Sequence, residues 1–357
     1  MTDNAIDVVR RSMTKAIDDS RVPGIAVAWS HGRQPAELLI VGTDATGRPL
    51  EHDSIFPVAS LTKLAVALAV LRLADLGALL IDDPVMHHLP DAAIARSGAT
   101  LRNLMTHTAG LPQSYPEEPE IYRIDLTWPR IAQACLQTSP EYAPDVRVQY
   151  SGVGYSLLAV IVERLTGQSF GAALQNLVLD PLKIEAYFGM DPPRPPANIE
   201  VGNSLFAGTE LEFYNSAFFR RLGEPPSGLL TTADGALRLV RAFQDFPAGF
   251  LRSETYAAAT SDQAGGLGGG VEGWFDLPHC RWGLGPGLHG TFPSLVPAEA
   301  SSHSFGHQGA SGCLAWCDPS ADIAWAILGT ETADSGWCDM CFPTIGAALL
   351  ASTSARG

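Results

Sequence analysis

Lysine is scarce in this chain of 357 residues. Of 23 basic residues, only Lys15, Lys63 and Lys183 are lysines, and the formal net charge at pH 7 is −15. Nucleic acids and anionic membranes bind through clustered basic residues, so we expect neither as a partner. Hydrophobic residues make up 46% and charged residues 17% of the chain, which is typical of a folded globular protein rather than a disordered one.

Long hydrophobic runs are missing as well. The two most apolar windows are residues 64–81 and 152–165, and charged residues interrupt the first and end the second before either reaches the length of a membrane span. The N-terminal residues alternate charged and apolar side chains and contain no continuous apolar region of the kind found in secretory signals. We therefore expect a cytoplasmic protein that does not enter a membrane.

Cysteine is too sparse for a disulfide scaffold, with six residues in a chain of this length. Four of them form a C-x3-C pair (Cys313, Cys317) followed by a C-x2-C pair (Cys338, Cys341), a spacing that also occurs in zinc sites. The first pair lies in strand-like sequence, where small buried cysteines are common, so we expect no metal and no cofactor. The H-E-x-x-H and H-x-x-E-H motifs of zinc hydrolases are also absent.

Hydrophobic periodicity predicts a sheet built from both ends of the chain around a helical middle. The predicted elements are a helix over 5–19, a hairpin at a sheet edge (Ile25–Ser30 and Ala36–Val41), helices over 61–80, 232–243 and 342–352, and strands near 281–285, 312–317 and 322–329. We expect one domain, 1–357, with a sheet lobe (1–80 with 226–357) and a mostly helical lobe (81–225). A cleft between the two lobes is the expected site.

One of the lysines follows a serine by three residues at the head of the apolar run "PVASLTKLAVAL" (57–68). Residues three apart share a helical face, so the Lys63 amine lies within reach of the Ser60 hydroxyl. Burial in the apolar run lowers the pKa of an amine, and a deprotonated lysine activates a serine for nucleophilic attack. An N-cap serine beside a lysine that extends to solvent is the alternative, and these residues alone do not decide between the two.

A second S-x-x-K match, formed by Ser12 and Lys15, has a different setting. It lies in an amphipathic stretch with two arginines before it and two aspartates after it. Such charge patterning indicates a solvated helix face. We expect no chemistry at Ser12.

Two further stretches favour the chemical interpretation of Ser60 and Lys63. The first is "VQYSGVGYSLLAVIVERLTG" (148–167), which contains Tyr150, and the second is "FGHQGASGCLAW" (305–316). Together with Ser60-x-x-Lys63, they resemble the signature of the beta-lactamase-related serine hydrolases, which include serine β-lactamases, penicillin-binding proteins and family VIII carboxylesterases. Residues 71–90, 101–112 and 226–243 are similar to further blocks of that family, in the same order.

The resemblance implies a fold class and catalytic roles. The fold is α/β (α+β), with an antiparallel sheet flanked by helices from both chain ends, an all-helical middle lobe and an active site in the cleft. Ser60 is implied as the nucleophile that forms an acyl-enzyme, Lys63 as its activating partner, and Tyr150 as the residue that passes the serine proton to the leaving group. A free phenol has a pKa near 10, so that role for Tyr150 requires nearby cations. Lys63 and a partly charged His307 are the candidates.

The resemblance also implies the surroundings of the nucleophile. The backbone N–H groups of Ser60 and Ala310 would form the oxyanion hole. The strand carrying His307, Gln308 and Gly309 would line the cleft, with Gly309 leaving room for the substrate to approach. Eight aromatic residues of the middle region are candidates for an acyl pocket or, more simply, for helical core: Tyr115, Tyr122, Trp128, Phe206, Phe213, Tyr214, Phe218 and Phe219.

Gly152 is the departure from the family pattern that bears on the substrate. β-Lactamases and peptidases of this group usually have Tyr-x-Asn, whose side-chain amide holds an amide of the substrate, and glycine cannot do so. Together with the expected location, this favours a carboxylesterase acting on short-chain, small-molecule esters. His307 points instead to a D-aminopeptidase or D-amino acid amidase, and a weak β-lactamase is a further alternative. A non-catalytic binding protein is disfavoured because none of the three catalytic residues is missing.

Overall fold

The strands form one large and two small sheets. The computed structural model describes residues 5–19, 22–115, 122–202, 206–244 and 246–354. The strands are β1 (Gly24–His31), β2 (Glu37–Gly42), β3 (Phe56–Pro57), β4 (Val148–Gln149), β5 (Ala186–Phe188), β6 (Leu229–Thr231), β7 (Gly269–Val271), β8 (Phe275–Leu277), β9 (Gly287–Leu288), β10 (Phe305–Gly309), β11 (Cys313–Asp318) and β12 (Ile323–Gly329). The large sheet is antiparallel with the order β2-β1-β12-β11-β10-β9, and the small sheets have the orders β3-β6-β5 and β4-β7-β8. The large sheet therefore joins the two ends of the chain.

The helices surround the large sheet and fill the middle of the chain. They are α1 (Ala5–Asp18), α2 (Thr62–Asp75), α3 (Val85–His88), α4 (Leu101–Met105), α5 (Trp128–Gln137), α6 (Gly152–Thr166), α7 (Phe170–Leu174), α8 (Asp180–Leu182), α9 (Ala217–Leu222), α10 (Ala233–Arg241), α11 (Ser253–Ala259) and α12 (Trp337–Ser354). Within the described residues no single helix is long and apolar enough to cross a membrane. Residues 152–166 and 170–182 meet that test only as a pair bent by 81°, and 153–162 are buried in the protein.

Alternating side chains on the central strands give the large sheet two different faces, because successive residues of a strand point to opposite sides. Val27 and Trp325 belong to the core on the face covered by α1 and α12, whereas Ala28 and Ala326, which pair across β1 and β12, belong to the core on the other face. The small residues allow α10 to pack directly on β1, β11 and β12. The core on the α10 face also contains residues 64–71 and 73 of α2.

The structure confirms the fold class, the edge hairpin and most of the predicted elements. Two short strands lie inside the helical middle: β4 pairs in parallel with β7, and β5 pairs with β6. The predicted strand near 281–285 is wrong, because Gly283, Gly285 and Pro286 form an irregular turn before β9. The last helix begins at Trp337 rather than at 342, since the fully buried Trp337 side chain anchors an earlier start.

Candidate active site

Ser60 lies in a single 3-10 turn, Ala59–Leu61, which leads directly into α2. The turn is held by Thr62, whose hydroxyl donates to the Ala59 carbonyl at 2.6 Å and accepts from the Leu229 N–H at 3.1 Å. Ala59 has a φ of 41°, a left-handed conformation that residues with a Cβ rarely adopt and that concentrates at functional sites. The strained residue therefore directly precedes the predicted nucleophile.

Lys63 lies one turn further along and is 2% exposed. Its Nζ is 3.2 Å from Ser60 Oγ and donates to the Pro226 carbonyl at 3.0 Å. Burial lowers the pKa of Lys63 from 10.5 to about 7, and the carboxylate of Glu224 opposes part of that change. The amine is consequently a base at neutral pH, which an exposed lysine is not.

Tyr150 reaches this amine from a distant part of the chain. Its backbone N–H donates to the Gly270 carbonyl at 2.9 Å, which continues the pairing of β4 with β7. Ser151 then caps α6, its hydroxyl accepting from the Gly154 N–H at 3.1 Å. The Lys63 Nζ lies 4.7 Å from the centre of the Tyr150 ring. The three predicted catalytic side chains thus lie around one cavity.

The protonation state of Tyr150 differs from the one expected. Burial raises the pKa of Tyr150 above its usual value of 10.0, and the neighbouring Ser60 hydroxyl lowers it by less. Burial also lowers the pKa of His307 to about 3, with Lys63 adding to the effect, so His307 is neutral at physiological pH. The expectation of a partly charged His307 that holds down the pKa of Tyr150 is wrong, because both rings lie in an apolar interior.

His307 is fully buried and packs behind Tyr150, with 5.9 Å between the ring centres. Its Nδ1 is 2.6 Å from the Gln308 carbonyl. Because a carbonyl only accepts, Nδ1 carries the proton of the neutral ring. Neither His307, Gln308 nor Gly309 is among the described residues that line the cavity, so the structure does not place the side chains of this strand in the cleft as expected.

Gly309 lies in close contact with the backbone that precedes Ser60. A Cβ on Gly309 would lie 2.4 Å from the Val58 carbonyl oxygen and 3.3 Å from the Ala59 Cβ. The Cys313 thiol donates to the same Val58 carbonyl at 3.2 Å. The close contact between β10 and the segment before Ser60 therefore requires glycine at this position, and the expected room for the substrate stays a prediction.

The turn that follows Gly309 orients the N–H of Ala310. The Gly309 carbonyl accepts from the Gly312 N–H at 3.0 Å, within the turn that joins β10 to β11. In a trans peptide the C=O and the following N–H point in opposite directions, so the Ala310 N–H points away from that turn. This orientation is compatible with the predicted pairing of the Ser60 and Ala310 N–H groups.

Gly152 begins α6 and lines the cavity. Its N–H donates to the Gln113 carbonyl at 2.8 Å, and a Cβ on Gly152 would lie 3.1 Å from that oxygen. The Gln113 backbone therefore lies close to the position that the asparagine side chain would occupy in a Tyr-x-Asn motif.

The cavity has a volume of about 280 Å³ and an aromatic wall. Five of the eight candidate aromatic residues line it, and these are Tyr115, Tyr122, Phe213, Tyr214 and Phe219. The other three do not, and two of them, Phe206 and Phe218, have ring centres 5.7 and 6.5 Å from that of Tyr122. The aromatic wall of the cavity is therefore formed by part of the predicted set, and Phe206 and Phe218 pack against one of its members.

His107 is a residue of the site that was not predicted from the sequence, although it lies within residues 101–112, which are similar to a block of the family. His107 is 1% exposed, and its ring centre is 4.5 Å from that of Tyr150. Its Nδ1 accepts from the Ser151 N–H at 3.0 Å. Burial and the neighbouring Lys63 lower the pKa of His107 well below 6.5. A neutral histidine therefore fixes both the ring and the following peptide of Tyr150, and no local pattern distinguished it.

Glu224 was missed as well. It is 7% exposed, lines the cavity and accepts a hydrogen bond from the Ser227 hydroxyl at 2.7 Å. One of many acidic residues in the sequence, it is brought to Lys63 only by the tertiary fold. Its carboxylate is the acidic group among the described residues of the cavity wall.

The remaining candidate sites show no comparable arrangement. Ser12 donates to the Val8 carbonyl within α1 at 3.0 Å, and Lys15, 76% exposed in its side chain, pairs with Asp19 at 2.7 Å. All six cysteines are buried, and none of them forms a disulfide bond with another described residue. Among the described residues, no group of three or more His, Cys, Asp or Glu side chains is arranged to hold a metal ion.

Comparisons with known proteins agree with this geometry. The sequence model of the family described as Beta-lactamase matches residues 9–336. The chain is 32% identical over 295 residues to Esterase EstB from Burkholderia gladioli, covering 70% of this chain and 73% of that protein. It is 30% identical over 306 residues to Penicillin-binding protein 4 from Amycolatopsis lactamdurans, covering 82% and 76% respectively.

Solved structures show the same fold at lower identity. The structure of "EstCE1, a hydrolase with promiscuous acyltransferase activity" has a TM-score of 0.78 at 20% identity and covers 97% of this chain and 98% of its own. The D-amino acid amidase from Ochrobactrum anthropi, in its complex with D-phenylalanine, has a TM-score of 0.79 at 17% identity. The match covers 98% of this chain and 99% of the amidase chain. By its sequence and its fold, the chain belongs to the beta-lactamase family.

Proposed function

We propose that this protein is a serine hydrolase that forms an acyl-enzyme on Ser60 and acts on carboxylic esters. The observation that carries the proposal is the meeting of Ser60, Lys63 and Tyr150 in one cavity, with 3.2 Å between Ser60 Oγ and Lys63 Nζ. Because the pKa of Lys63 is about 7, roughly half of this amine is uncharged at neutral pH and accepts a proton.

In the acylation step, Lys63 Nζ takes the proton of Ser60 Oγ, and Oγ attacks the carbonyl carbon of the ester. The N–H groups of Ser60 and Ala310 stabilise the negative oxygen of the tetrahedral intermediate. As the bond to the leaving alcohol breaks, the alkoxide takes the Tyr150 hydroxyl proton, and the Lys63 ammonium returns its proton to the phenolate. The raised pKa of Tyr150 suits a proton donor. Water then attacks the acyl carbon and gives a proton to Lys63. As the bond between the acyl carbon and Ser60 Oγ breaks, the Lys63 ammonium returns this proton to Oγ, and the carboxylic acid is released.

The preference for esters rests on the surroundings of Gly152. No side-chain amide extends from this position, and the Gln113 carbonyl lies against it, so a substrate amide has no partner of the Tyr-x-Asn type there. An ester, with its better leaving group, depends less on such a partner. The similarity to Esterase EstB supports this choice, and the cavity volume of about 280 Å³ suits a short acyl chain.

A D-aminopeptidase or D-amino acid amidase is the second candidate. That activity requires a carboxylate for the ammonium of the substrate, and Glu224 lies in the cavity wall. The structural similarity to D-amino acid amidase shows a shared fold and nothing about the substrate. A weak β-lactamase is a third outcome that the same assays detect.

A panel of three chromogenic substrates separates these candidates. We expect hydrolysis of p-nitrophenyl butyrate, very slow hydrolysis of nitrocefin and no hydrolysis of D-alanine p-nitroanilide. Rapid turnover of the anilide would contradict the esterase assignment and support the amidase. Turnover of nitrocefin alone would contradict the esterase assignment and support a β-lactamase.

Replacing the nucleophile tests the catalytic assignment. We expect Ser60→Ala to abolish both ester hydrolysis and labelling by a serine-directed phosphonate, whereas Ser12→Ala, the other S-x-x-K serine, leaves both unchanged. Labelling that persists in Ser60→Ala would refute the mechanism.

We also propose that the reaction needs no metal or cofactor, so that activity persists in excess EDTA. Loss of activity in EDTA, restored by zinc, would contradict this. The cytoplasmic location stays a prediction from the N-terminal residues, which fractionation of the producing cells would check.

A further inference from the structure

A second cavity adjoins the catalytic one. Its volume is about 580 Å³, against about 280 Å³ for the cavity that contains Ser60. Two neighbouring residues, Ser114 and Tyr115, line both cavities. Ser114 is exposed, whereas Tyr115 is 4% exposed. The Tyr115 side chain is therefore the buried part of the wall that the two cavities share.

The backbone before Tyr115 is attached to the start of α6. The Pro112 carbonyl accepts from the Ser151 hydroxyl at 2.6 Å, and the Gln113 carbonyl accepts from the Gly152 N–H at 2.8 Å. Both bonds lie directly after the catalytic tyrosine in the chain. The Tyr115 side chain belongs to the hydrophobic core that also contains α2. The shared wall is consequently made of packed atoms on a backbone that is fixed relative to the catalytic residues.

The second cavity can hold an apolar chain. Pro112, Ala134 and Pro140 contribute apolar surface to its wall. The hydroxyl of the buried Thr138 donates to the Ala134 carbonyl at 2.9 Å, so this polar group keeps its partner when a ligand displaces water. Glu141, another wall residue, is exposed. An apolar chain in this cavity therefore leaves the Thr138 hydroxyl satisfied.

The catalytic cavity by itself accommodates a short acyl chain. Its 280 Å³ hold both the acyl part and the alcohol part of an ester bound at Ser60. Each methylene that moves from water into apolar surroundings strengthens binding by about fourfold. This gain ends where the chain meets Tyr115, because a longer chain would have to displace closely packed atoms.

We infer that Tyr115 sets the acyl chain length of the substrates. Its side chain closes the catalytic cavity beyond a short acyl chain and separates that cavity from the second one, which would otherwise hold the rest of a longer chain. The inference rests on the proposed esterase function and names the residue that limits its acyl specificity.

A series of p-nitrophenyl esters from acetate to decanoate, each kept below the concentration at which it forms micelles, tests the inference. We expect kcat/KM of the wild-type protein to be highest for the acetate or the butyrate and lowest for the decanoate. We expect Tyr115→Ala to raise the ratio of kcat/KM for decanoate to that for butyrate by about tenfold or more, which corresponds to two or more additional buried methylenes.

Two further variants identify the space that the longer chain enters. Ala134→Phe, on α5 in the wall of the second cavity, is expected to reverse the gain when combined with Tyr115→Ala. Tyr122→Ala removes a ring that, among the described residues, lines the catalytic cavity and not the second one. We expect no gain for decanoate in this variant, because Phe206 and Phe218 pack against Tyr122.

A second pair of substrates distinguishes the acyl part from the alcohol part. Ethyl butyrate and octyl butyrate differ only in the alcohol, and we expect Tyr115→Ala to leave the ratio of their kcat/KM values unchanged. A rise in this ratio would assign the second cavity to the alcohol and overturn the acyl assignment. If Tyr115→Ala does not fold, Tyr115→Leu keeps an apolar side chain in the core and is expected to give a smaller gain for decanoate.

The remaining outcomes separate this inference from the esterase itself. Equal hydrolysis of butyrate and decanoate by the wild-type protein would overturn the role of Tyr115 and needs no variant. An unchanged ratio in the folded Tyr115 variant, a gain that persists with Ala134→Phe, or an equal gain in Tyr122→Ala has the same meaning. Hydrolysis of p-nitrophenyl butyrate leaves the esterase in place in each case. Failure of the wild-type protein to hydrolyse any of the esters overturns both proposals.

Discussion

The proposed mechanism depends on Lys63 losing its proton near neutral pH, and this dependence is measurable. An exposed lysine with a pKa of 10.5 is uncharged to roughly 0.03% at pH 7, whereas a pKa of about 7 leaves about half uncharged. Burial therefore increases the concentration of the active base by more than about a thousandfold. The change in Lys63 is the largest protonation effect that the mechanism uses.

The assay is the pH dependence of kcat/KM for p-nitrophenyl butyrate between pH 5 and 9, read at a wavelength where the absorbance of p-nitrophenol does not change with pH. Because kcat/KM reports the free enzyme, we expect a plateau above pH 8, half of the plateau near pH 7, and about 1% of it at pH 5. The sign follows from the role of Lys63: protonation removes the base, so activity falls as pH falls.

Two variants show whether Lys63 is the group that titrates. His307→Gln is expected to keep the midpoint near pH 7, because the pKa of His307 is about 3 and the ring is already neutral. Lys15→Met, at the exposed lysine of the other S-x-x-K match, is expected to leave the whole profile unchanged. A profile that is flat from pH 5 to 9, or a midpoint above pH 9, would refute the assignment of Lys63 as base.

Three further predictions concern stability and positioning. Lys63→Met should inactivate the protein yet raise its free energy of unfolding by about 4 kcal/mol at pH 7. The Lys63 amine keeps its proton up to about pH 10.5 in the unfolded chain but only up to about pH 7 in the folded chain. The stability of the wild-type protein therefore rises between pH 7 and 10.5, and the stability difference between variant and wild type shrinks over the same range. A gain that does not shrink towards pH 10.5 in thermal melts would contradict this. Gly309→Ala should lower the melting temperature because the new Cβ would lie 2.4 Å from the Val58 carbonyl oxygen. Gly171→Ala within α7 should leave the melting temperature unchanged. Equal melting temperatures for the two variants would show that the contact between Gly309 and Val58 is unimportant. His107→Phe should lower kcat strongly and change KM little, because the Ser151 N–H loses its acceptor and Tyr150 is no longer held in position. His107→Asn retains an acceptor for the Ser151 N–H and should recover part of kcat. Equal kcat values for the two variants would exclude a positioning role for His107.

Local patterns in the sequence were sufficient for the parts of the protein that depend on near neighbours. The spacing of Ser60 and Lys63 is a helical spacing, so their side chains meet as soon as the turn and α2 form. Hydrophobic periodicity predicted the strands that form β1 and β12. The strand near 281–285 was wrong because glycine and proline there override the apolar residues beside them.

Only the tertiary structure decided how far the pKa values of the site change and in which direction those of Tyr150 and His307 move. Lys63 donates to a carbonyl 163 residues away, the buried Tyr150 and His307 rings pack together although β4 and β10 are far apart in sequence, and Glu224 reaches the same cavity from a separate turn. A pKa depends on how completely water is removed from around a group and on which charges remain near it, and neither quantity can be read from residues close in sequence. The residue types were therefore visible in the sequence, while their protonation states followed from packing.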